Sequence, residues 1–227
     1  MNDTSSVRKH GGLLEVPERK ALLWLARRMP SRVNSDHLSI LGLAAMFLAG
    51  FSFWAAQWNK YALLMAVVAL VLNWFGDSLD GTLARVRQRQ RPRYGYYVDH
   101  VIDLIGTTAL MCGIALSGYM SELIALALLA AFLLVEAEVF LSAHVQSVFK
   151  LSCFRIGPTE LRIVLAIGTV SLLHSPSVDL PVLGSFLLFD LGGIVAIAGM
   201  LVAFFYSAAK NWAALYRAEP LEKEVKK

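Results

Sequence analysis

The chain has 227 residues, of which 57% are hydrophobic and only 17% charged. Soluble domains carry about 25% charged residues, so a disordered chain is excluded and an ordinary soluble domain nearly so. The class that remains is an integral membrane protein with a handful of spans, each about 20 residues long. A net charge of +4 would suit nucleic acid, but the placement of the charges decides that point. Cys112 and Cys153 make neither a disulfide framework nor a metal cage, and both read as small buried hydrophobes.

Residues 1–17 contain no apolar core of a cleavable signal. From Glu18 to Met29, Leu22, Leu25, Ala26 and Met29 share one face at helical spacing, with Arg19, Lys20, Arg27 and Arg28 mostly elsewhere. That pattern predicts an amphipathic helix lying on the membrane surface. Six apolar stretches follow: Leu38–Trp58, Tyr61–Leu79, Val98–Tyr119, Leu123–Val148, Leu161–His174 with its flanks, and Ser185–Ala208. The expected fold is therefore an all-α integral membrane protein with six transmembrane helices after an interfacial amphipathic helix. Residues 1–36 form an N-terminal segment, 37–209 a six-helix membrane domain, and 210–227 a charged tail.

Seven of the 21 Lys and Arg residues precede the first span. Five (Arg85, Arg87, Arg89, Arg91, Arg93) fall between spans two and three. Lys150, Arg155 and Arg162, at the very start of the fifth stretch, belong to the fourth-to-fifth region, and five more are in the tail. Only Lys60 falls on the other side of a six-span layout. The positive-inside rule then places both termini in the cytoplasm. The arginines at 87, 89, 91 and 93 read as contacts to anionic headgroups. Aromatic interleaving for single-stranded nucleic acid is absent from that run, so no nucleic-acid partner is expected.

Four acids stand where lipid should exclude them. Asp77 and Asp80 close the second span, and Asp99 and Asp103 open the third. Spacings of three and four put each pair on one helix face. If the two helices pack as a hairpin, the four carboxylates converge near the inner membrane surface. Such crowded charges repel, and divalent cations such as Mg²⁺ or Mn²⁺ relieve the repulsion. The bland alternative is helix-end acids neutralised by neighbouring arginines. Gly81 and Ala84 leave a bare strip beside the acids, Gly95 does the same on the next helix, and Arg85 offers a forked donor for phosphate.

The stretch Asp77-x2-Asp80-Gly81-x2-Ala84-Arg85-x9-Gly95-x3-Asp99-x3-Asp103 resembles the signature of the CDP-alcohol phosphotransferases, with all eight signature residues present. The resemblance implies two divalent cations, Mg²⁺ or Mn²⁺, and displacement of CMP from a CDP-linked donor by an alcohol acceptor. By position it makes Asp77, Asp80 and Asp99 metal ligands. Asp103 would be the general base with metal contact, and Gly81, Ala84, Arg85 and Gly95 would line the donor site. It further implies a homodimer through membrane helices, while the four acids, on the side where the basic residues gather, put the active site at the cytoplasmic face.

Weaker signals have two readings each. Asp36-His37-Leu38-Ser39 is similar to the family's N-x-L-T segment, giving Asp36 and Ser39 either a substrate contact or an N-cap. His100 between Asp99 and Asp103, and Gly157-Pro158-Thr159-Glu160, are similar to the choline and ethanolamine phosphotransferase branch. An ordinary helix start, with Pro in the first turn and an acid near the positive dipole end, is the reading preferred for the latter. Glu160 and Arg162 are further candidate substrate contacts. Glu136 and Glu138, two apart on span four, cannot share a face; interhelical hydrogen bonding or an approach to the cavity are the options. Asp179 and Asp190 read as solvated outward charges.

The expected activity is transfer of a phosphatidyl group from CDP-diacylglycerol to an alcohol. CDP-choline or CDP-ethanolamine with diacylglycerol is the second choice. A cation transporter is the alternative of another class, opposed by the absence of a matching acidic site at the midplane or outer side. An inactive scaffold is opposed by eight chemically competent motif positions.

Overall fold

The computed structural model describes residues 14–146, 157–181 and 184–219. Cys153, Lys150, Arg155, the last two residues of the predicted fourth span and the outer parts of both terminal segments lie outside the described residues. The elements in chain order are α1 (Glu15–Arg28), α2 (Ser35–Ala55), α3 (Ala62–Val86), α4 (Pro92–Ala115), α5 (Glu122–Gln146), α6 (Pro158–Leu172), β1 (Ser177–Leu180), β2 (Gly184–Leu187) and α7 (Leu188–Ala218). The described chain is mostly helical. Five helices, α2, α3, α4, α5 and α7, are long and apolar enough to cross a membrane; α6, at 15 residues, is shorter than these.

Several boundaries differ from the apolar runs for local reasons. α3 continues for seven residues past Leu79 because Asp80 to Val86 include no proline. α4 begins at Pro92, whose missing N–H costs nothing in a first turn. Asp80, Gly81 and Gly95 are thus inside helices rather than in the connection. The start predicted for the last span, Ser185, falls in an antiparallel ribbon pairing Ser177 with Leu187 and Leu180 with Gly184. The helix proper starts at Leu188.

α2 is the common wall of the bundle: α3 and α4 each pack along it, α6 lies on α3, and α5 lies on α4 and α7. Glycines permit this closeness. A Cβ on Gly76 of α3 would stand 2.6 Å from Gly42 N and from Leu38 O of α2, and one on Gly113 of α4 would stand 2.0 Å from Gly50 O. The α3–α4 hairpin expected from the sequence does not form as a packed pair. The two helices share α2 as a neighbour more than they pack on each other, which leaves a cleft between them. At one end, Phe53, Leu63, Ile114, Met120, Leu172 and Phe189 form the larger apolar cluster. At the other, Leu22 and Ala26 of α1 bury against Leu38, Leu79 and Leu83.

That second cluster revises the role of α1. The face predicted to meet lipid is covered by α2 and α3, while Trp24 stays 54% exposed with Arg28 stacked 4.0 Å above its ring. Three further expectations are corrected. Cys112 is exposed on α4. Asp190 is buried, not solvated, and its carboxylate accepts hydrogen bonds from the backbone N–H (2.6 Å) and hydroxyl of Ser121, the residue before α5. Two arginines of the basic run are occupied by protein: Arg87 donates to the carbonyls of Met29 (2.9 Å), Pro30 (2.8 Å) and Val33, and Arg91 pairs with Asp36.

Candidate active site

α3 presents Asp77 and Asp80 to the cleft, and α4 presents Asp99 and Asp103. One carboxylate oxygen from each of Asp77, Asp99 and Asp103 lies within 4.8 Å of the others, each residue partly buried. Asp80 lines the same cleft as Asp77, Asp99, Ser39, Gly42, Asn73 and Ile102. Its carboxylate, however, is turned to α2, where Ser39 Oγ donates to Oδ2 at 2.5 Å, and its Oδ1 accepts from the Gly81 N–H. Convergence of the signature acids is therefore closest for three of the four.

Besides Ser39, Arg162 reaches the acids from outside the signature. Arg162 of α6 donates through Nη2 to Asp77 Oδ2 at 2.5 Å and through Nε to Asn73 Oδ1 at 2.8 Å. Asn73 is 4% exposed and passes the tie on, its Nδ2 donating to Gly42 O at 3.0 Å. One side-chain relay thus joins α6, α3 and α2 one helical turn from Asp77. Asn73 carried no signal in the sequence beyond being a polar residue in an apolar run. Glu136 of α5 faces the Asp99 and Asp103 side closely enough to repel both. Glu138, two residues on, accepts from Ser207 (2.9 Å) and Asn211 (2.6 Å) of α7. Interhelical hydrogen bonding, one of the two options weighed for this pair, is what Glu138 does.

The remaining predicted positions divide. Arg85 is one turn past Gly81 and Thr82, donating to Thr82 Oγ1 at 3.0 Å. A Cβ on Gly81 would meet only the end of the Arg85 side chain at 3.5 Å, and one on Gly95 would meet nothing within 4 Å. Packing does not demand either glycine, so open space in front of the backbone is what they provide. Asp36 sits in the first turn of α2, whose N-cap is Asn34 and not Asp36. It binds Arg91, and this hydrogen bond lifts the guanidinium pKa above its usual value. The His100 ring stacks on Tyr96 at 4.0 Å and meets Phe140 at 5.0 Å, with Nδ1 2.7 Å from Tyr96 O. Glu160 accepts from the Gly157 N–H at 2.9 Å, closing the first turn of α6, and from the Leu14 N–H at 3.1 Å.

Three carboxylates at this spacing form an all-oxygen donor set, which fits a hard divalent cation better than a soft one. Phe47 of α2 and Leu104, Ile105, Thr108 and Ala109 of α4 line a separate apolar groove of about 370 Å³.

The CDP-alcohol phosphatidyltransferase family model matches residues 37–205. A stretch of 86 residues is 30% identical to archaetidylinositol phosphate synthase of Pyrococcus horikoshii; it covers 38% of this chain and 43% of that protein, less than half its length. Phosphatidylinositol phosphate synthase (PgsA1) of Mycobacterium tuberculosis has a similar fold. Its crystal structure with CDP-DAG bound gives a TM-score of 0.59 over 86% of this chain and 92% of that one, at 18% identity. Its apo form gives 0.58 over 86% and 95%, also at 18% identity.

Proposed function

The chain belongs to the CDP-alcohol phosphatidyltransferase family, and on that premise we propose that it transfers a phosphatidyl group from CDP-diacylglycerol to an alcohol, releasing CMP. The observation that carries the reading is the placement of Asp77, Asp99 and Asp103 with oxygens within 4.8 Å of one another, in register with the signature. These three would hold a divalent cation, with Asp80 completing the set for a second. When bound, Mg²⁺ or Mn²⁺ supplies positive charge to the diphosphate and to the departing CMP. Asp103 accepts the proton of the acceptor hydroxyl. The acceptor oxygen forms the new bond to the lipid-side phosphorus, the bond from that phosphorus to the CMP oxygen breaks, and CMP leaves with the electron pair. Arg85 faces the diphosphate, and Gly81, Ala84 and Gly95 leave the backbone bare for the cytidine nucleotide. The apolar groove beside Leu104 and Thr108 receives part of an acyl chain.

The membrane arrangement proposed with it has six spans, α2 to α7, both termini in the cytoplasm, α1 at the inner surface and the acids at that face. A homodimer through membrane helices completes the picture. Family membership removes the ground for the cation-transporter alternative. The choline-branch alternative loses support, because His100 stacks against aromatic rings and Glu160 closes the start of α6.

The test is CMP release by purified protein in nanodiscs, with Mn²⁺ or Mg²⁺, against CDP-diacylglycerol, CDP-choline and CDP-ethanolamine in turn. The acceptor panel is headed by inositol phosphate, since both named relatives are synthases of inositol phosphate lipids, followed by glycerol phosphate and serine. Release with CDP-diacylglycerol that stops on chelation with EDTA is expected. Turnover only with CDP-choline or CDP-ethanolamine plus diacylglycerol moves the chain to the other branch. No release from any pair by folded protein refutes the transferase reading.

A further inference from the structure

Glu18 lies on α1, far in sequence from the signature, yet it holds two walls of the site together. Its Oε1 accepts from Trp74 Nε1–H at 2.7 Å and from Thr159 Oγ1–H at 2.7 Å, with Ser78 Oγ at 3.5 Å. Trp74 and Ser78 bracket Asp77 on α3. Thr159 is in the first turn of α6, three residues before Arg162. A single carboxylate therefore ties α3 to α6 at the level where Arg162 crosses to Asp77 and Asn73. Two contacts fix α1 in turn: Leu22 and Ala26 are buried in the cluster with Leu79 and Leu83, and the Leu14 N–H donates to Glu160. Hydrogen bonds to an ionised acceptor are about twice as strong as neutral ones, so the joint is stiffer than its two short contacts imply.

We propose that Glu18 is a positioning residue for the active site: it holds the first turn of α6 against α3 and so sets Arg162 on Asp77. The inference rests on the transferase reading and adds to it a residue that acts only through another helix. α1 thereby becomes part of the catalytic machinery, although none of its residues reaches the acids.

A double-mutant cycle on the full chain in nanodiscs tests this, using wild type, Glu18→Ala, Arg162→Ala and the pair, with kcat/KM from CMP release. Glu18→Ala is expected to lower kcat/KM about tenfold in the wild type and to have no further effect once Arg162 is alanine. Hydrogen exchange supplies a readout independent of turnover: the amides of residues 159–162 should exchange faster in Glu18→Ala. They should be unchanged in Asp190→Asn, which loosens the opposite end of the bundle. Should Glu18→Ala fail to fold, Thr159→Val removes the α6 half of the tie alone and is read the same way. Additive losses in the cycle, or unchanged exchange in α6, overturn the proposal while leaving the transferase reading intact. A folded wild type that releases no CMP overturns both.

Discussion

Ser39 has one hydroxyl proton and two acceptors in reach: Ser35 O at 3.3 Å and Asp80 Oδ2 at 2.5 Å. The shorter, charge-assisted contact takes it, so Ser39 fixes which way the Asp80 carboxylate faces. A hydrogen bond to a charged group contributes about 1.5–3 kcal/mol. Ser39→Ala should therefore raise the Mn²⁺ concentration for half-maximal CMP release several-fold, and Ser39→Thr, which keeps the hydroxyl, should stay near wild type. Identical Mn²⁺ dependence in all three proteins would refute an orienting role. Asp103→Asn keeps an oxygen ligand but removes the proton acceptor, so turnover should fall by about a hundredfold or more while Mn²⁺ still binds by electron paramagnetic resonance. At this scale the acids were legible because helical spacing of three and four is local. Glu18, Asn73 and the docking of Arg162 on Asp77 were not, since Thr159 is 141 positions from Glu18 and Arg162 is 89 from Asn73. No periodicity links residues so far apart. Arg162 was legible only as a candidate substrate contact two residues from Glu160.

Among elements, the glycines sort into two kinds by what a methyl group would meet. Gly76 and Gly113 are where α3 and α4 touch the backbone of α2, and a Cβ there would stand 2.6 Å and 2.0 Å from backbone atoms. Alanine at either position must push whole helices apart, as overpacking in a close-packed interior does, at about 1–3 kcal/mol or more. Gly95 is the opposite case, inside α4 with open space around it. A helix-interior Gly→Ala change stabilises by about 0.5–1 kcal/mol, so Gly95→Ala should raise the melting temperature slightly and still lower turnover, by raising the KM for the CDP donor. Gly76→Ala and Gly113→Ala should lower the melting temperature. Thermal unfolding in detergent, read beside donor KM, separates the two kinds. An unchanged KM in Gly95→Ala would remove that glycine from the donor site. The helices themselves were readable from apolar runs. The role of α2 as common wall was not, because Gly42 and Gly50 are unremarkable as sequence and act only through partners on α3 and α4.

For the whole molecule, the contacts sort helix ends into two groups. Ser39 of α2, Asp77 of α3, Asp99 of α4 and Arg162 of α6 meet at the acidic end, where Glu136 of α5 also faces. Phe53 of α2, Leu63 of α3, Ile114 of α4, Leu172 of α6 and Phe189 of α7 meet at the other, where Asp190 holds Ser121. Successive helices from α2 to α7 thus alternate in direction, which agrees with the one-sided placement of the basic residues. The weak link is α6: 15 residues span about 22 Å at 1.5 Å per residue, against a hydrocarbon core of about 30 Å. Leu161, Ile163, Val164, Ile167 and Val170 are nevertheless exposed along it, as a lipid-facing helix requires, and local bilayer thinning absorbs a mismatch of this size at modest cost. Single cysteines in a Cys112→Ser, Cys153→Ser background decide the topology. Lys60→Cys and Asp179→Cys should react with an impermeant maleimide added to intact cells, and Arg89→Cys only after permeabilisation. Asp179 is the informative position, because the β1–β2 ribbon reaches the outer side only if α6 crosses. Protection of Asp179→Cys alongside Arg89→Cys would leave α6 on the inner side and reduce the spans to those long enough by themselves.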